Sequence, residues 1–111
     1  MNASVGIWKW SERIAPVASQ HRVTLGEGGT PLVRSRRIGP EAGLEHLYFK
    51  LEHVQPSGSY KDRFAAVAIS RLLERKAPCC LATSSGNTGA ALATYCAAAG
   101  IPCRIAILET T

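Results

Sequence analysis

Residues 79–108 read CCLATSSGNTGAALATYCAAAGIPCRIAIL, and this stretch decides the fold. It opens with a short apolar run over 79–83, of the kind used by a buried strand. A polar, glycine-containing turn follows, Ser84-Ser85-Gly86-Asn87-Thr88-Gly89. Residues 90–99 are apolar on nearly every side, which predicts a helix near 88–99 that is buried all round. Gly100 suits the position just past a helix, and Pro102 prevents continuation. Residues 103–108 are again apolar and partly β-branched. Strand, helix and strand at this spacing make one βαβ unit, and so a parallel strand pair.

Working outward, Ser59 followed at the third position by Asp62 reads as a capping-box variant. Behind it Phe64, Ala65, Ala68, Ile69, Leu72 and Leu73 recur at helical spacing, with Arg71, Glu74 and Arg75 facing away. A helix is predicted over 60–76, stopping before Pro78. Residues 47–52 (LYFKLE) alternate and carry aromatics, as a strand does. Residues 25–32 (LGEGGTPL) hold three glycines and a proline, the composition of a loop with special backbone dihedrals. Residues 1–22 show no sustained period, and 1–24 read as an arm. Trp8 and Trp10 are expected to pin it to the body, because exposed indoles forfeit much hydrophobic burial.

The chain has 111 residues, enough for one small domain. Its 46% hydrophobic and 19% charged content excludes a disordered segment. The net charge of +5 is a weak clue to partners. Arg34, Arg36 and Arg37 form the one basic cluster, and without interleaved aromatics it reads as a solvated turn rather than a nucleic-acid face. The apolar stretch 89–101 is too short to span a bilayer. The opening MNASVGIWKW has neither the apolar core nor the cleavage site of a secretory signal, so a cytoplasmic location is expected. Cys79 and Cys80 are adjacent, and Cys96 and Cys103 lie in apolar surroundings. No CxxC pair occurs, and His21, His46 and His53 fall at no ligand spacing, so reduced, buried thiols and no metal are expected.

Three features bear on chemistry. Lys61 follows the cap, where the free N–H groups of a helix start disfavour a second positive charge; Arg63 acts the same way and Asp62 opposes it. A lysine with a destabilised ammonium is a nucleophilic amine able to condense with an aldehyde. The position equally suits an ordinary solvated lysine. The 84–89 turn offers hydroxyls, the Asn87 amide and helix-start N–H groups to an anion. Simple capping by Ser85, Asn87 or Thr88 explains the same residues. The turn is neither a Walker loop nor GxGxxG. In the 26–31 loop Glu27 and Thr30 are either functional or part of a structural glycine turn.

Together these motifs resemble the fold-type II pyridoxal-phosphate enzymes and, among them, the threonine synthases. LGEGGTPLVR (25–34), with a Trp-bearing arm before it, looks like their N-terminal signature. KLEHVQPSGSYKDR (50–63) is similar to the segment carrying the cofactor lysine, with Ser59-Tyr60-Lys61 at its core. SSGNTGAALATYCAAAGIP (84–102) resembles their asparagine loop and the helix after it. The resemblance implies a partial tryptophan synthase β-like α/β fold and pyridoxal 5'-phosphate held by Lys61, which then also shuttles protons. It implies that Asn87 hydrogen-bonds the cofactor's ring oxygen and that Ser84, Ser85, Gly86 and Thr88 cradle the substrate carboxylate. The implied activity is that of an amino-acid biosynthetic lyase, converting O-phosphohomoserine and water to threonine and phosphate.

A serine/threonine dehydratase or another β-replacement enzyme is the alternative, and a catalytically silent truncated domain is a different class of reading. Phe64 stands where the family has Gly or Ala, and is expected to narrow the site or add to the core. The family's phosphate-holding glycine loop lies downstream of these motifs. A parallel sheet also needs helices on both faces, more than this chain supplies. The chain is therefore expected to be the N-terminal portion of a longer protein, inactive alone, with an arm (1–24), a glycine loop (25–32), a Lys-bearing strand–helix (47–76) and the βαβ unit (79–108). The full-length protein is expected to be a homodimer acting on a small amino-acid substrate, with no nucleic acid or membrane as partner.

Overall fold

The computed structural model describes residues 5–110; the first four residues of the arm and Thr111 lie outside them. The expected βαβ unit is present. Strand β3 (Cys80–Thr83) pairs in parallel with β4 (Cys103–Ala106), in the register Cys80↔Cys103 through Thr83↔Ala106. Helix α3 (Asn87–Ala99) makes the crossover. It ends as its sequence dictates. Gly100 takes a left-handed φ of 72°, and the Ile101 N–H closes back on the Cys96 carbonyl at 3.0 Å.

Helix α2 (Lys61–Glu74) ends in the same motif with an unfavourable residue. The Ala77 N–H reaches the Leu72 carbonyl at 2.9 Å, and the left-handed position is filled by Lys76 at φ 53°. Ala65, Ala66 and Ile69 of α2 are fully buried, and α2 lies along α3. Its end connects through residues 75–79 to the start of β3. Helix α3 runs back towards the strand starts, and its N-terminus lies at the edge where β3 and β4 end.

A second, antiparallel pair joins β1 (Leu32–Arg34) to β2 (Tyr48–Lys50), with the four-residue α1 (Ile38–Glu41) between them. Neither β1 nor α1 is evident from sequence pattern. β1 is three residues long and exposed throughout, so it has no hydrophobic alternation to read. The predicted strand 47–52 shortens to β2 because residues 52–54 turn into a 3₁₀ helix. Arg36 and Arg37 are exposed, Arg37 pairing with Glu41 across one helical turn, as a solvated segment does.

The core combines α2, α3, the inner face of β3–β4 and the arm. Trp8 is buried and its indole N–H donates to the Val23 carbonyl at 2.7 Å, whereas Trp10 stays half exposed. One indole pins the arm, not two. Ser70 in α2 secures the next stretch by accepting the Val23 N–H at 2.8 Å while donating to the Ala66 carbonyl.

Helix α3 is not buried all round. Gly89, Ala91, Leu92, Tyr95 and Cys96 are covered, but Ala90, Ala93, Ala97 and Ala98 face solvent. Alanine carries too little apolar surface to dictate which face is inside. The strand face opposite α3 is open, with Leu81 71% exposed. The predicted strand 103–108 ends at Ala106, leaving Ile107 and Leu108 exposed. Among the described residues no helix is long and apolar enough to cross a membrane.

Candidate active site

Lys61 is the first residue of α2, and Asn87 is the first residue of α3. The start of α3 lies at the carboxyl ends of β3 and β4, the edge where open α/β sheets hold ligands. A cleft of about 330 Å³ opens there, lined by Thr83, Ser84, Ser85, Ala106, Ile107 and Leu108. Ser84 and Ser85 thus face the cleft. Gly86, Asn87 and Thr88 form the lead-in and first turn of α3 beside it. Lys61 is not among the lining residues. Its ammonium lies over the exposed Tyr60 ring, 5.1 Å from the centroid.

The expected caps are replaced by others. Asp62 does not close a box with Ser59. It is fully buried and reaches back to Ser57, accepting the backbone N–H at 2.9 Å and the hydroxyl proton. The Ser59 hydroxyl instead accepts the Lys61 N–H at 3.3 Å. The loop 57–59 is therefore tied to the first turn of α2, which sets where Lys61 leaves the helix.

At α3 the capping oxygen comes from Ser84, not from Ser85, Asn87 or Thr88. It accepts the Gly89 N–H at 2.9 Å and the Gly86 N–H at 3.2 Å. With Ser84 used in this way, Ser85, Gly86 and Asn87 remain exposed. Glycine at 89 lets α3 approach closely, since a Cβ there would lie 3.2 Å from the Ser84 side chain and 3.3 Å from Ile105, tighter than ordinary contact. Phe64 is half exposed, so it adds nothing to the core.

Beneath this edge lies a polar network that sequence spacing did not reveal. Arg63 grips Glu52 with two bonds, Nε to Oε2 at 3.0 Å and Nη2 to Oε1 at 2.9 Å. Thr30 donates its hydroxyl to the same carboxylate, and Gln55 bridges Glu52 to the Gly28 N–H. The Arg63 guanidinium, helped by the Thr30 hydroxyl, holds the Glu52 carboxyl at about 2. Glu27 is buried and accepts four bonds, from the Ile7 and Leu25 N–H groups and from the Thr24 and Tyr95 hydroxyls. Burial first, and then the Glu27 and Asp62 carboxylates, push the Tyr95 phenol upward. The 26–31 loop is thus a structural clamp. It anchors the arm, α2 and α3 together, and its partners lie as far as 68 residues apart in the chain.

An aldehyde-bearing anionic cofactor would be met by a primary amine at the start of α2 and by a side-chain amide and N–H groups at the start of α3. Gly86 leaves open space beside them, since a Cβ there would meet nothing within 4 Å. Comparison with known proteins agrees. A family profile described as pyridoxal-phosphate dependent enzyme matches residues 23–111. The chain belongs to this family.

Within the pyridoxal-phosphate dependent enzymes, the similar curated proteins include several named threonine synthase. That of Methanosarcina acetivorans is 43% identical over 96 residues, covering 86% of this chain and 23% of that protein. That of Methanocaldococcus jannaschii is 39% identical over 106 residues, covering 95% and 26%. That of Mycobacterium leprae is 42% identical over 85 residues, covering 77% and 23%. The chain spans about a quarter of the length of these relatives. The α/β fold with a parallel pair agrees with the family assignment.

Proposed function

We propose that this chain forms the lysine-bearing wall of a threonine synthase-type lyase site, one that converts O-phosphohomoserine and water to threonine and phosphate. The observation supporting this reading is that Lys61 and the 84–88 turn stand at the starts of two helices packed on one another, with Ser84 and Ser85 lining the cleft at the strand ends. Relatives named threonine synthase, about 40% identical across this segment, support the choice within the family.

Pyridoxal phosphate, when bound, supplies an electron sink for bond cleavage at the substrate's α-carbon. In this reading Lys61 Nζ is the covalent anchor and afterwards carries protons to and from the substrate carbons. Asn87 donates its amide to the ring oxygen. The first-turn N–H groups of α3, with Ser85 and Thr88, hold the substrate carboxylate, and Ser84 keeps that turn in shape. Lys50, the other lysine of the 50–63 segment, is engaged elsewhere, donating to the Thr30 carbonyl at 2.6 Å.

Borohydride reduction of the full-length protein with its cofactor, followed by peptide mapping, tests the reading. The phosphopyridoxyl label is expected on Lys61. A label on Lys50 or Lys76, or on no lysine of this segment in an active enzyme, overturns it.

A further inference from the structure

Three of the four cysteines, expected as reduced, buried thiols, converge. The sulfurs of Cys80, Cys96 and Cys103 all lie within 4.8 Å of one another. Cys80 and Cys103 are register partners, so their side chains leave the parallel pair on the same face, and Cys96 meets them from α3. Cys80 and Cys96 are buried, while Cys103 is partly exposed. Cys79, next in the chain to Cys80, is not a member of the cluster.

We propose that Cys80, Cys96 and Cys103 form a three-thiol site for a trivalent thiophilic metalloid, of which arsenous acid is the type. The geometry allows it: three sulfurs bound to one centre at about 2.3 Å sit up to about 4 Å apart, so the sulfurs need close by only about an ångström at most to reach that spacing. The charge selects it. The site is embedded in the apolar core formed by α3 and the inner strand face, beside Ala82, Leu92, Ile101 and Ile105. Arg104 alternates to the opposite, exposed face, so it offers no compensation there.

Three thiolates around a monovalent ion would leave two uncompensated negative charges in this core, and around a divalent ion one. Around a trivalent centre they leave none. Arsenous acid takes up the three thiol protons without leaving charge behind. Each As–O bond breaks as an As–S bond forms, each hydroxide departs with one thiol proton as water, and three waters are released with no change of oxidation state.

The test is titration of the reduced 111-residue chain with sodium arsenite, with Zn(II) as the comparison. The mass spectrum is expected to show one arsenic gained for three hydrogens lost. Arsenic-edge X-ray absorption is expected to show three sulfur neighbours and no oxygen. Subsequent alkylation should label Cys79 and spare the other three. Cys79→Ala should retain the three-sulfur signature and Cys96→Ala should lose it. Should Cys96→Ala fail to fold by circular dichroism, the Cys79→Ala variant and the absorption spectrum of the unmodified chain decide alone. Absence of the adduct, a centre with two sulfurs and one oxygen, protection of Cys79, or stronger protection by Zn(II) than by arsenite overturns the proposal.

Discussion

Replacing Glu52 by Gln should remove a pH-dependent step from the stability of this protein. Glu52 accepts two bonds from Arg63, one from Thr30 and one from Gln55, and its carboxyl is lowered from 4.5 to about 2. A depression of that size corresponds to about 3 kcal/mol at full strength. The Glu52 side chain is 26% exposed and that of Arg63 36%, so water screens the pair, and about 1–2 kcal/mol is the expected contribution.

The folded value lies below the unfolded one. The stabilisation is therefore fully present above about pH 4.5 and is lost as pH falls towards 2. Urea unfolding at a series of pH values should show Glu52→Gln about 1–2 kcal/mol less stable than the parent at pH 7, with the two curves converging near pH 2. Parallel curves across that window would refute the reasoning, because they would mean that the Arg63 pairing adds nothing beyond a neutral hydrogen bond.

Other consequences follow from single residues. Glu27→Ala leaves the Tyr95 hydroxyl and the Ile7 N–H without their buried acceptor and should cost about 3–5 kcal/mol by the same assay, whereas Tyr95→Phe should cost about 1–3. Lys76→Gly relieves a left-handed lysine at the end of α2 and should raise stability by about 1 kcal/mol, seen as a higher melting temperature. In the full-length enzyme Lys61→Ala should abolish the borohydride-fixed label and lower turnover by several orders of magnitude. Asn87→Ala, which removes one hydrogen bond of about 1–3 kcal/mol, should lower turnover about ten- to a hundredfold. The chain by itself should bind an apolar dye through Leu81, Ile107 and Leu108, which are 71%, 63% and 71% exposed; a monomer that binds none refutes this.

Much of the architecture was legible in the chain because it depends on near neighbours. The apolar runs, the Gly100–Pro102 stop and the periodicity behind Lys61 each act over a few residues, and β3, α3, β4 and α2 appear within two residues of where these signals put them. Lys61 and the 84–88 turn were likewise readable as candidates, since a helix start is a local event. Partners were not. Asp62 turning to Ser57 rather than Ser59 follows from the path of the loop between them.

The choice among capping oxygens at α3 shows the same limit. Ser84, Ser85, Asn87 and Thr88 all carry a suitable atom, and only the backbone's entry angle selects Ser84. Glu27 meets Tyr95 across 68 residues, and Arg63 meets Glu52 across 11, with no spacing rule to announce either. Residue types by themselves determined which stretches become helix or strand and which groups could do chemistry. Tertiary packing alone decided that Cys80, Cys96 and Cys103 share one pocket, because only strand register and the seating of α3 bring together side chains that the chain holds apart.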